Sequence, residues 1–386
     1  MNNIYHGRGN ESIYDEYMDF INYVFGFNGN NNDFKKLLPK LYRPEDRPVE
    51  NSYVTVENGK LVAAVGAFDH KLKVCDIELN CRGIGNVAVH PYHRSKGYMK
   101  TLMNMALEDM IKDGVDISVL GGRRQRYNYF SYEKTGSTYS FTLNNDNMRH
   151  TFGKDRASYH TVQFKKLGAD DAELSCAISN LTERQAYYPI RDVSRMCDIL
   201  SSWQHAPYVI LKDGLFAGYL VADDKKIYEI LLENKQDFIN TIISFYDHIK
   251  VSSMTVLLPE FCDDYIAELY RLCEGYDIGL SKSFSVLNYQ RVIEAFARLK
   301  STYSNILDGS LSLLIHGAAG DERLCLTVRN GEVAVDRHNG DVELELDHID
   351  AMNMLFSAFC PGRERLSEFA RLLLPLPLWL YSADAV

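Results

Sequence analysis

In Gly85–Thr101 a strand must stop and a helix must start within a few residues, and this stretch constrains the fold more than any other. Val87-Ala88-Val89 is a short apolar run that reads as a buried strand. Pro91 ends it, because proline has no N–H to give a sheet ladder. After a turn carrying Arg94, Lys96 and Gly97, Met99, Leu102, Met103, Ala106, Leu107 and Met110 recur at helical spacing, and Gly114 supplies a stop. The predicted strand–turn–helix aims the free N–H groups of a helix N-terminus at a ligand, where the helix dipole favours negative charge. Arg94 and Lys96 add fixed positive charge, and Gly97 lets the backbone approach closely. The pattern fits an anion site; an ordinary strand–turn–helix connection with two solvated basic residues has the same spacing.

The flanking chain reads as an α/β unit over residues 1–150. Glu11–Phe25 and Asp33–Leu38 have helical patterning, and Tyr53–Glu57 and Lys60–Phe68 are strands joined by the hairpin signal Asn58-Gly59. Val115–Leu120 is a further strand, followed by Gly121-Gly122, three arginines (Arg123, Arg124, Arg126) and the aromatic run Tyr127–Tyr132. Residues 144–160 are polar and irregular, which predicts a linker. A second α/β unit over 151–289 repeats the order of elements without an Arg-x-x-Gly loop. From 290 to 386 the pattern is helix plus sheet, with hairpin signals at Asn330-Gly331 and Asn339-Gly340. Leu313, Leu314, Ile315, Leu324, Leu326 and Val328 fit a filled core better than a lipid cavity.

Composition narrows the classes. With 386 residues, two or three domains are expected, and 46% hydrophobic and 24% charged residues are ordinary for a globular protein. There is no long apolar stretch and no charged-then-apolar leader, so a cytoplasmic protein without membrane partners is expected. Eight cysteines without a Cys-x-x-Cys pair argue against a zinc site or a disulfide framework. His90 and His93 have metal-like spacing but no partner cluster, so no metal is expected. A net charge of -10 argues against a general nucleic-acid binder.

The stretch Arg94-Ser95-Lys96-Gly97-Tyr98-Met99 resembles the acyl-CoA pyrophosphate loop of GNAT acetyltransferases, whose pattern is Arg/Gln-x-x-Gly-x-Gly/Ala. Met99 departs from the usual small residue, as in the Eis-like (enhanced intracellular survival) branch. The resemblance implies tandem GNAT-like α/β (α+β) folds, the second degenerate, followed by a sterol carrier protein-like α+β domain. It also implies acetyl-CoA as co-substrate, bound by Val87, Ala88, Val89, Arg94, Ser95, Lys96, Gly97, Tyr98, Met99, Lys100 and Gly122. The acceptor would be a small-molecule, peptide or protein amine, and the protein a homo-oligomer, a hexamer by resemblance.

Acetyl transfer to an amine needs an aligned thioester, a stabilised oxyanion, and protons moved off nitrogen and onto sulfur. A phenol suits the second proton transfer, since its pKa of about 10 lies near that of an alkyl thiol. Tyr127-x-x-Phe130-x-Tyr132 is similar to the Eis-like motif whose first tyrosine is the general acid. Alternating strand aromatics packing on a sheet would look the same. By the same resemblance the general base is the carboxylate of Val386. A competing reading is a non-catalytic acyl-CoA or lipid-binding protein, which needs neither Tyr127 nor a free C-terminus. Arg123, Arg124 and Arg126 beside the expected acid disfavour a polycationic acceptor.

Overall fold

The structure is a computed structural model and describes residues 3–27 and 33–386. Asn58 and Gly59 both take positive φ, 53° and 77°, and turn the chain between Ser52–Glu57 and Lys60–Val74 as predicted. Lys60–Val74 runs past Phe68 and pairs with Ile77–Val89 up to Val74 opposite Ile77. That extension rests on Leu72 opposite Leu79, both buried, and on a 2.6 Å pair between Lys71 and Glu78.

Among the described residues, these strands belong to a thirteen-stranded sheet, in which Tyr187–Ile190 pairs with the Lys71–Val74 end of Lys60–Val74 off the main path. Its first half runs Ile4–Arg8, Ser52–Glu57, Lys60–Val74, Ile77–Val89 and Ile117–Leu120. The next strand is Gly275–Val286, which lies antiparallel between Ile117–Leu120 and Glu133–Asn144. Beyond Glu133–Asn144 the sheet continues through Ser253–Leu258, Lys226–Leu232, Leu215–Ala222, Ala206–Lys212 and Gln163–Lys166. Gly275–Val286, far along the chain, therefore joins Ile117–Leu120 to Glu133–Asn144 in one sheet. Helices Tyr14–Gly26 and Tyr98–Lys112 bury Tyr17, Ile21, Leu102 and Ala106 against the first half, at 0% exposure each.

Residues 144–160 are not the expected irregular linker. Asn145–Phe152 is a helix whose start is closed by reciprocal bonds between Asn144 and Asn147, at 2.9 and 3.2 Å. Met148 and Phe152, four residues apart, face the core of the second unit. The polar composition reflected one solvated helix face rather than missing structure.

Toward the C-terminus a four-stranded sheet has the order Glu332–Arg337, Gly320–Arg329, Gly309–Gly317, Leu344–Asp347. Asn330-Gly331 makes its expected hairpin. Asn339-Gly340 does not, because Leu344–Asp347 crosses to the far edge and pairs in parallel with Gly309–Gly317. Leu313, Ile315, Leu324, Leu326 and Val328 are buried with Val292, Phe296 and Met352 in one core, whereas Leu314 is half-exposed. Among the described residues, no helix is long and apolar enough to cross a membrane.

Candidate active site

The site begins where two parallel strands part. Ile77–Val89 and Ile117–Leu120 are paired only from Cys81–Ile84 to Ile117–Leu120. The second strand ends there, while the first continues to Val89, still held on its other side by Ala63 and Ala64. From Gly85 onward one backbone edge of the longer strand has no strand partner, among the described residues. A register shift marks a bulge here, with Asn86 at φ 49°. Asn86 is buried and gives its amide N–H to Tyr17 at 3.0 Å.

The following loop takes left-handed φ at Ser95 (65°) and Gly97 (84°) before the helix opens at Tyr98. The position a Cβ would take on Gly97 faces open space, so the backbone conformation rather than crowding favours glycine. Arg94 lies over the Phe27 ring and Lys100 over that of Tyr129. Lys96 is not a free cation. Its ammonium sits 3.0 and 3.1 Å from the carboxylate of buried Glu57, which also bonds His93 Nδ1 at 2.6 Å. The Lys96 hydrogen bond, more than burial opposes it, holds the Glu57 carboxyl below its usual range. Lys96 thus braces the loop, and among the described residues Arg94 is in no ion pair.

Tyr127 closes the short helix Arg124–Tyr127, and a 3-10 turn, Asn128–Phe130, follows. The strand starts only at Glu133, so the reading of Tyr127, Tyr129 and Tyr132 as alternating strand aromatics is wrong. The cause is Arg124, which grips buried Glu133 at 2.5 and 2.6 Å, with Asn128 on the same carboxylate at 2.9 Å. That grip folds the segment back as a turn. Tyr129 is 65% exposed, and Tyr132 is buried against the Ser118 hydroxyl at 2.6 Å. Tyr127 packs on Gly122, where a Cβ would come 2.3 Å from its ring. Burial raises the Tyr127 phenol above its ordinary pKa, keeping it protonated, with the Arg126 guanidinium alongside as a smaller opposing influence.

The tail comes back to the same place. Val386 lies on Gly83 and Gly85, which face one side of the strand; a Cβ on Gly83 would be 2.4 Å from Val386 Cγ2. Asp384 pairs with Arg191 at 2.6 and 2.9 Å, and Arg191 also grips Glu229 twice at 2.8 Å, with these side chains only 3–6% exposed. Burial opposes the Asp384 charge, but Arg191 outweighs it and holds the carboxyl below its usual range. Lys40 donates to the carbonyls of Ala383 and Ala385 at 2.5 and 2.8 Å, and Trp203 Nε1 donates to that of Ala385 at 3.2 Å. Burial brings the Lys40 ammonium down to about 7.

A cavity of about 740 Å³ gathers these parts: Gly85, Val87, Gly122, Tyr127, Trp203 and Val386 all line it. Of the residues expected to hold acetyl-CoA, Val87 and Gly122 face this cavity. Ala88 is buried toward the helix Tyr14–Gly26, and Arg94–Lys100 lie at the other end of the parted strands. Among the described residues, no arginine, lysine or histidine lies within 4.0 Å of the Val386 carboxylate. Sequence reasoning missed Lys40, Arg191 and Trp203. Gly83-x-Gly85, at the period of a strand, was the available signal for close approach of another chain segment.

Residues 8–139 match the family described as acetyltransferase (GNAT) domain. No protein of curated function matches the sequence. Among solved structures, the chain is similar to a GCN5-related N-acetyltransferase from Kribbella flavida at 17% identity and TM-score 0.66, with 96% of this chain and 95% of that one covered. A conserved protein of unknown function from Enterococcus faecalis, described as a probable N-acyltransferase, gives 16% identity and TM-score 0.67, with 98% of each chain covered. Eis1 from Mycobacterium abscessus gives 14% identity and TM-score 0.61, covering 99% of this chain and 98% of that one. The parted strands, the left-handed glycine loop and the helix behind it therefore all lie within the residues that match the acetyltransferase (GNAT) domain, in a chain similar in fold to these proteins over nearly its whole length.

Proposed function

We propose that the protein is an acetyl-CoA-dependent N-acetyltransferase acting on a primary amine, with Tyr127 as general acid and the Val386 carboxylate as general base. The observation that carries this reading is that Tyr127 and Val386, far apart in sequence, line one cavity where the strands part. When bound, acetyl-CoA supplies an acetyl group activated as a thioester. The unpaired edge of Gly85–Val89 suits the pantetheine arm, and the loop Arg94–Lys100 with its helix N-terminus suits the pyrophosphate. As the amine nitrogen bonds the acetyl carbon and the carbon–sulfur bond breaks, Val386 takes a proton from nitrogen and Tyr127 gives one to sulfur. A phenol kept protonated by burial is in the state that donation needs.

We further read residues 1–150 as the catalytic unit, 151–289 as a degenerate second copy and 290–386 as a sterol carrier protein-like domain, in the Eis-like manner. Coverage of nearly the whole Eis1 chain supports this layout, and the same resemblance implies a cytoplasmic homo-oligomer of hexameric form. The test is release of free CoA by the untagged chain with a panel of primary amines. Removing Ala385 and Val386 is expected to abolish turnover and leave acetyl-CoA binding intact. Full turnover by the shortened chain would transfer the base to another group, and acetyl-CoA binding without any acetylated amine would favour a binding protein.

A further inference from the structure

Among the described residues, four basic side chains line the cavity, Arg123, Arg126, Lys134 and Lys282, and no aspartate or glutamate does. The chain as a whole carries a net charge of -10, so this concentration of positive charge runs against its composition. Among the described residues, none of the four is in an ion pair, whereas Arg124, between two of them, is held by Glu133. The one anionic group at the cavity wall is the Val386 carboxylate, with no cation within 4.0 Å. Lys282 is partly committed to the fold, since burial brings its ammonium down to about 8 and Asp384 favours its charge; Arg123, Arg126 and Lys134 are not spent on the fold.

Nor does the acyl donor use them under the reading above, on which this step rests. A pantetheine arm is uncharged, and the diphosphate belongs to the Arg94–Lys100 loop, of which no residue lines the cavity. We infer that the acceptor is an amine that also carries an anionic group, a carboxylate or a phosphate. Arg123 and Arg126 are suited to it because a guanidinium presents a planar fork that matches either oxyanion with two parallel hydrogen bonds. Lys134 and Lys282 come from the paired strands Glu133–Asn144 and Gly275–Val286, so cations face the cavity from both the short helix and the sheet. A carboxylate drawn to them leaves the amine end of the same molecule to be placed at Val386, where like charges do not oppose it. A polycation with one amine at Val386 carries its remaining charges toward these cations and is repelled by them.

The test uses matched amines on the unmodified chain: 6-aminohexanoate and O-phosphoethanolamine against 6-aminohexanamide and spermidine, each with acetyl-CoA. The anionic amines are expected to be preferred in kcat/KM by tenfold or more, about what one such contact supplies. Arg123→Glu and Lys134→Glu are expected to raise KM for 6-aminohexanoate by a similar factor, without raising it for 6-aminohexanamide or changing acetyl-CoA affinity measured by calorimetry. Equal use of the amide, or a preference for spermidine, overturns the inference and leaves the acetyltransferase reading standing. A preference for succinyl-CoA over acetyl-CoA with 6-aminohexanamide also overturns the inference, and with it the choice of acetyl as the transferred group, because it puts the anion on the acyl donor. Failure to bind acetyl-CoA overturns both.

Discussion

Gly83 offers a way to move the chain's last residue without touching it. The strand cannot give way, because Gly83 is paired on one side with Phe68 and on the other with Val119. A Cβ there would stand 2.4 Å from Val386 Cγ2 and 3.3 Å from Cγ1. Ordinary carbon contacts lie near 3.5–4.0 Å, so Gly83→Ala must push the tail back by about 1 Å. A shift of that size in a reacting group is worth about 10²-fold in rate, and kcat is expected to fall by that much. The same change in Gly83→Ala/Val386→Ala should recover most of the loss, since removing both γ carbons leaves the Val386 Cβ at 3.4 Å. Release of CoA thiol at saturating amine measures kcat, and calorimetry should find acetyl-CoA affinity unchanged in all three proteins. A Gly83→Ala protein with unaltered kcat, or a double variant that stays as slow as the single one, would refute the role given to the tail.

Tyr127→Phe is expected to lower kcat by about 10²- to 10⁴-fold at unchanged acetyl-CoA affinity. Because burial raises the phenol, the unmodified protein should keep its kcat into more alkaline solution than an ordinary phenol would allow, and an alkaline decline that persists in Tyr127→Phe would assign it elsewhere. Arg191→Met strands the buried carboxylates of Asp384 and Glu229 and should destabilise by about 3–5 kcal/mol, read from denaturant unfolding. Asp384 has its folded pKa depressed by Arg191 against the opposing effect of burial, so its stabilising effect is present above about pH 4 and fades as the pH falls through the folded value. Asp384→Asn should therefore flatten the acid side of the stability profile, and an unchanged profile would count against this pair as the anchor.

Local patterns in the sequence were enough to find the strand, loop and helix around Gly97 and the hairpins at Asn58-Gly59 and Asn330-Gly331, because glycine turns and helical spacing act within a few residues. What escaped was long-range. Arg191 and Asp384 are 193 positions apart, and nothing near either one announces the other. Lys96 reads as a ligand cation until Glu57, 39 residues away, is found beneath it. Gly275–Val286, with two glycines and an exposed first half, has little strand character of its own and becomes a strand through two distant partners. At Asn339-Gly340 a strong hairpin signal lost to a crossover, since the free edge of Gly309–Gly317 was there to be paired. The tail residues 383–386 are short and small, and their ordering comes from Lys40, Arg191 and Trp203, each supplied by another segment.

The inserted strand Gly275–Val286 also sets the order of events at the ribosome. When Glu133–Asn144 emerges, its neighbour in the finished sheet does not yet exist, and Ile117–Leu120 likewise lacks its antiparallel partner. At ordinary elongation rates Val286 follows Asn144 by roughly 7 to 30 seconds. Through that interval both strands are open edges, the kind of surface that pairs with other nascent chains. The acetyltransferase domain is thus encoded first but finished late, and a gene fragment ending near residue 150 would yield its loop and helix without the strand that joins the two halves of its sheet.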